Sequence, residues 1–89
     1  MSETPENRLK RLSMRSHRRG TREMDLILGR YADACLAGLT GAALDDYESL
    51  LEENDHDLYL WVSGRAVPPD RYAALVARIA SHTGKSARR

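Results

Sequence analysis

Residues Arg15 to Asp25 read Arg-Ser-His-Arg-Arg-Gly-Thr-Arg-Glu-Met-Asp, the densest set of reactive side chains in the chain. Arg15, Arg18, Arg19 and Arg22 crowd the front, Gly20 stands among them, and Glu23 and Asp25 close the segment. A guanidinium stays protonated and presents a planar fork of donors, so it recognises carboxylates and carbonyls and does not abstract protons. Other reactive types are scattered. Cys35 falls on the apolar side of a helical pattern, where an inert, buried thiol is expected. His17 sits in a basic stripe, His56 among acids and His82 near the end, each read as a solvated ring. Flanked by Asp55 and Asp57, His56 would hold a cation weakly at best. With one cysteine and three dispersed histidines no metal site is expected. There is no glycine loop to cradle phosphate. No nucleophile, base and orienting group share a workable spacing, so the chain is expected not to be an enzyme.

These groups must be positioned by a small domain, since the chain has 89 residues. The net charge of +1 conceals segregation. Residues 8–22 carry seven Lys/Arg and no acid, whereas residues 23–57 carry ten acids and one arginine, Arg30. Such asymmetry fits a nucleic-acid contact, helices that attract one another, or a bipolar surface for a protein partner. No apolar run approaches the ~20 residues that span a bilayer. The first seven residues, polar and acidic, do not resemble a secretory signal or a transit segment. The lone cysteine fits a reducing compartment.

Helical periodicity dominates, and no stretch alternates as a half-buried strand would. Residues 1–6 are expected to be disordered, residues 7–82 to form the folded domain, and residues 83–89 to be a basic, flexible tail. A first helix, about Glu6 to Arg18, has a thin apolar face of Leu9 and Leu12, with Met14 and Ser16 as candidates. Its basic residues recur at spacings of three and four. Gly20 reads as a corner, in the left-handed region or under a close backbone approach. Thr21 suits the cap of the next helix, with Glu23 and Asp25 in its first turn. That helix, about Arg22 to Ala37, buries Met24, Leu28, Tyr31 and Cys35, and Gly29 within it suggests another helix close by. Thr40 opens a third helix to Glu53, with Leu44, Tyr47, Leu50 and Leu51 inward. A short fourth follows, His56 to Ser63, stopped by Gly64. Pro68-Pro69-Asp70 starts a fifth, whose stripe is Tyr72, Leu75, Val76 and Ile79. The sum is an all-α, compact five-helix bundle.

Three landmarks carry a family resemblance. The first is Arg-Gly-x-x-Glu, here Arg19-Gly20-Thr21-Arg22-Glu23. The second is Tyr47-Glu48-Ser49-Leu50-Leu51-Glu52, followed by Asp55-His56-Asp57-Leu58-Tyr59 and Trp61. The third is the proline-marked helix start at Pro68. In this order and in so short a chain, from about Leu9 to Ile79, the sequence resembles the succinate dehydrogenase flavinylation (FAD assembly) factors. The resemblance implies a five-helix bundle that binds the flavoprotein subunit of succinate dehydrogenase, and in bacteria that of fumarate reductase. It implies promotion of covalent FAD attachment to a histidine of that client, with no flavin stably held by the factor itself. Arg19, Gly20 and Glu23 carry over as partner contacts. Arg15, Arg18, Arg22 and Asp25 join them by adjacency and charge, and Asp57 and Trp61 match family positions with either a structural or a contact role. Without an evident presequence, a bacterial, cytoplasmic monomer is expected, with no membrane insertion. The competing expectation is a nucleic-acid-binding or generic protein-regulatory module that uses the basic stripe Arg8 to Arg22.

Overall fold

A computed structural model describes residues 3–87, and side-chain surroundings as far as residue 83. Five α-helices follow one another: α1 Pro5–Ser16, α2 Arg22–Cys35, α3 Gly41–Leu50, α4 Asp55–Val62 and α5 Asp70–Ala87. A short 3-10 turn, Leu36–Gly38, ends α2. No strand occurs among the described residues.

The start of α1 lies earlier than expected. Thr4 is its N-cap, accepting from the Asn7 N–H at 3.1 Å, with Pro5 in the first turn. A proline there costs nothing, because its missing donor would have had no helical partner. Glu3 is also placed, chelating Arg11 through two hydrogen bonds of 2.8 and 2.9 Å. Disorder over residues 1–6 is therefore corrected for residues 3–6; Met1 and Ser2 lie outside the described residues. At the other end α5 continues to Ala87, so Thr83 to Ala87, assigned to a flexible tail, belong to the helix, and residues 88–89 fall outside the description.

The core forms where the apolar stripes meet. Leu12, Met24, Leu28, Tyr47, Leu50, Leu58 and Ile79 are fully buried, and Tyr31, Leu36, Leu51, Tyr72, Leu75 and Val76 nearly so. Each such side chain contributes about 1.5–3 kcal/mol by leaving water. Cys35, expected to be buried, packs against this cluster but is only half-buried. The thin face of α1 is completed by a polar group: Ser16, fully buried, donates to the Leu12 carbonyl at 2.8 Å and meets the Tyr47 hydroxyl at 2.6 Å. Met14, a candidate for that face, is 54% exposed. Burial pushes the Tyr47 phenol up to about 12, against a smaller opposite pull from Ser16.

Gly29 lets the end of α1 approach α2. A Cβ there would stand 2.6 Å from Nδ1 of His17, whose Nε2 reaches Asp33 at 2.9 Å. Gly64, with φ +82°, turns the chain out of α4, as a C-terminal glycine does.

Candidate functional site

The basic stripe of α1 lies along the acidic face of α3. Arg8 binds Asp45 at 2.7 Å and Glu48 at 2.8 Å; Arg11 binds Glu48 at 2.9 Å; Arg15 binds Glu52 at 2.8 Å. Arg15 also donates to the Leu51 carbonyl at 3.3 Å. Hydrogen bonds to Asp45 and Glu48 raise the Arg8 pKa, and those to Glu3 and Glu48 raise that of Arg11. Burial works to raise the Glu48 carboxyl, but hydrogen bonds from Arg8 and Arg11 outweigh it and hold it below the usual carboxylate value. Of the three meanings open to the segregated charge, attraction between helices is the one this ladder realises. Between Arg8 and Arg15 the three arginines are engaged by acids of the same molecule, which leaves Arg18 and Arg22 as the unpaired arginines of the stripe Arg8 to Arg22 among the described residues.

The ladder ends at the bend between α1 and α2, where the Arg-Gly-x-x-Glu residues divide. Arg19 turns inward, its side chain only 9% exposed. Its Nε and Nη2 donate to Asp55 Oδ1 at 2.8 and 2.7 Å. Its Nη1 donates to the Leu51 carbonyl at 2.8 Å and its Nη2 to that of Glu53 at 3.1 Å. These carbonyls follow the end of α3, where a cation suits the dipole. Asp55 opens α4, where an anion suits the opposite pole. One guanidinium thus fills the corner between two helices. Its own backbone N–H is taken by the Asp25 carboxylate, and the Gly20 N–H by Asp55 Oδ2.

Gly20 does not have a positive φ. Of the two reasons open for a glycine here, the left-handed corner does not hold; the glycine answers to a close approach, by a side chain and not a backbone, since a Cβ would stand 3.0 Å from Asp55 Oδ2. Arg19 and Asp25, expected as partner contacts, each have a partner inside the molecule, and the acid that braces Arg19 is Asp55, not Glu23. Arg15 is half-buried and already paired. Arg18, Gly20, Arg22 and Glu23 are exposed, and among the described residues neither Arg18 nor Arg22 has an ion-pair partner. Thr21 caps α2, accepting from the Met24 N–H at 3.3 Å, which aims Arg22 and Glu23 off its first turn.

Asp57 is exposed in the first turn of α4. Trp61 is half-buried and stacks on Tyr72, with ring centroids 6.1 Å apart. Burial raises the Tyr72 phenol despite the Arg71 guanidinium 4.9 Å over its ring. Asp55 stood in the sequence as part of a family landmark, but its role as the partner of Arg19 and Gly20 was not read from it. Its signal was positional: an acid directly after the helix-capping Asn54.

Open clefts flank the bend. One, of about 450 Å³, is lined by Arg11, Met14, Arg15, Arg18 and Arg19. Another, of about 240 Å³, lies between Thr21, Glu23, Asp55, His56 and Tyr59. No cluster of three metal-ligating side chains exists among the described residues, and none of their helices is long and apolar enough to cross a membrane.

Comparison with known proteins finds relatives that share one name. Succinate dehydrogenase assembly factor 2, mitochondrial, of Mycosarcoma maydis is 39% identical over 72 residues, covering 81% of this chain and 30% of the relative. The protein of that name from Scheffersomyces stipitis is 44% identical over 61 residues, 68% of this chain and 41% of the relative. That of Dictyostelium discoideum is 34% identical over 77 residues, 86% of this chain and 55% of the relative. The chain thus spans between 30% and 55% of the length of these relatives. Their names overturn the expectation of a bacterial cytoplasmic protein, which rested on the polar character of the first seven residues, a stretch outside the family match. A family model described as flavinator of succinate dehydrogenase matches residues 10–83, and the chain belongs to that family of succinate dehydrogenase assembly factors.

Proposed function

We propose that this chain binds the flavoprotein subunit of succinate dehydrogenase and promotes covalent attachment of FAD to it, without catalysing the bond itself. The observation that carries this is the divided bend. Arg19 and Asp55 lock the backbone from inside, while Arg18, Gly20, Arg22 and Glu23 stand exposed on a preset frame. A frame fixed before contact lowers the ordering cost of association. The flavin belongs to the client, and its electron-poor ring supplies the reactivity; protein groups orient and polarise it. The factor acts by binding the client conformation in which the acceptor histidine faces the ring better than it binds the alternatives. Turning a 1:99 equilibrium into 99:1 needs about 5.5 kcal/mol of differential affinity, within reach of a few exposed arginines and their apolar neighbours.

Co-expression with a succinate dehydrogenase flavoprotein, followed by in-gel flavin fluorescence after denaturation, tests this. Covalent flavin should rise with the factor present. Equal fluorescence with and without it would refute the proposal. Fumarate reductase flavoprotein is a second client to be tried in the same assay.

A further inference from the structure

The cleft at Glu23 does not stop at the bend. It shares Glu23 and Tyr59 with a second cleft of about 330 Å³ between α2 and α4, bordered also by Thr83 of α5, walled by Leu26, Ile27 and Val62 and reaching Arg30. Leu26 is 44% exposed, and Ile27 and Val62 are half-buried, so the floor is apolar and partly open to water. Charge is distributed unevenly along it. The end nearest the bend carries Glu23 and Asp55; the far end carries Arg30, the one basic residue among ten acids in residues 23–57. Among the described residues neither Glu23 nor Arg30 has a hydrogen-bond or ion-pair partner within the molecule. A carboxylate and a guanidinium at opposite ends of an apolar trough form a polar ruler.

Its length is set by the helix. Seven residues separate Glu23 from Arg30, close to two turns at a 1.5 Å rise, or about 10 Å. A polyproline II chain advances about 3.1 Å per residue and returns every third side chain to the same face, so three steps cover that distance with both charged side chains towards the groove. Deepening the proposed docking role, and resting on it, we infer that the α2–α4 groove receives a segment of the flavoprotein client in the polyproline II conformation. That segment carries a Lys or Arg over Glu23, an Asp or Glu three positions along over Arg30, and an apolar side chain between them against Leu26. Charge complementarity at both ends fixes the direction of the segment, and the apolar floor supplies contact between them. A helical segment would need seven residues between the two charges, and a nucleic acid would meet Glu23 unfavourably.

The test uses the full chain and the intact flavoprotein subunit. In a Cys35→Ser background, a thiol-directed photo-crosslinker is placed by Leu26→Cys or, as a control, by Val67→Cys, a site 90% exposed elsewhere on the surface. Crosslinked client peptides are then identified by mass spectrometry. Leu26→Cys should capture one segment with a basic residue and an acid three positions later, and Val67→Cys should not capture it. Arg30→Glu should weaken the complex on the order of tenfold, and changing the captured segment's acid to Lys should restore it. Capture of a segment lacking that pattern, or no restoration, would overturn the groove assignment while the docking role stands. Failure of the unmodified chain to bind the flavoprotein would overturn both.

Discussion

Removing the Asp55 carboxylate should cost the fold more than removing any exposed arginine of the bend. Asp55→Ala deletes the acceptor of two hydrogen bonds from Arg19, at 2.7 and 2.8 Å, and of the one from the Gly20 N–H. Hydrogen bonds to charged groups contribute about 1.5–3 kcal/mol each, and stranding one partner of a buried ion pair costs about 3–5 kcal/mol. Two facts reduce that figure. Arg19 keeps its contacts to the Leu51 and Glu53 carbonyls, and the pair is still 9% and 12% exposed, so water reaches it. The expected loss is about 3 kcal/mol. In a domain of this size ~1 kcal/mol moves Tm by roughly 4–8 °C, so Asp55→Ala should melt roughly 12–24 °C below the parent. Arg18→Ala and Arg22→Ala, which remove exposed side chains, should stay within about 0.5 kcal/mol. Thermal unfolding followed by circular dichroism measures all three, and the cycle with Arg19→Ala and the double variant should give a coupling of roughly 2 kcal/mol. If Asp55→Ala melts within about 4 °C of the parent, or if the cycle shows no coupling, the internal brace is wrong and Arg19 is available to a partner.

Gly20→Ala should lower stability by about 1 kcal/mol, because its Cβ would press on Asp55 Oδ2 from 3.0 Å. Gly20→Arg and Glu23→Ala should leave far-UV circular dichroism near that of the parent and weaken the flavoprotein complex; unfolding instead would assign these positions to the fold alone. Tyr47 gives a pH signature: because burial raises its phenol from 10.0 to about 12, the neutral form favours the folded state. Its contribution is intact below pH ~10 and is lost as pH climbs toward ~12, by roughly 2–3 kcal/mol, so Tyr47→Phe should flatten the alkaline limb of a stability–pH profile. Gly29→Ala gains about 1 kcal/mol of helix propensity but displaces the half-exposed His17 ring from Asp33, so the net change should lie within about 0.5 kcal/mol; a much larger loss would mean that the ring cannot swing away.

Local patterns made the bundle readable. Capping at Thr21, the stop at Gly64 and the apolar stripes of α2, α3 and α5 each depend on neighbours within a turn or two, and the helices formed where those patterns lay. What escaped depends on residues far apart in the chain. Gly20 announced a corner, yet its reason lies 35 positions away in the carboxylate of Asp55. The α1 arginines could serve a partner or a neighbouring helix equally well by type and spacing, and only the placement of α3 decides between them. The polar run of residues 1–6 read as disordered, yet proline in a first turn is a good beginning, and Thr4 caps the helix that Pro5 opens. In the site itself, the resemblance pointed to Arg19, Gly20 and Glu23 and adjacency added Arg15, Arg18, Arg22 and Asp25, but neither told inward from outward, since one arginine looks like the next until the carbonyls at the end of α3 are in place.

The buried hydroxyl contact between Ser16 and Tyr47 has a reach beyond its own energy. Oily surfaces tolerate a small roll of one helix against another, whereas two hydroxyls 2.6 Å apart across 31 positions do not. That contact works as an index pin for α1, fixing the heading at which the chain departs towards the bend. Shifting the pin would swing the exposed arginines to a new bearing even if every one of them survived, so a silent-looking change in the interior could misdirect the factor without unfolding it.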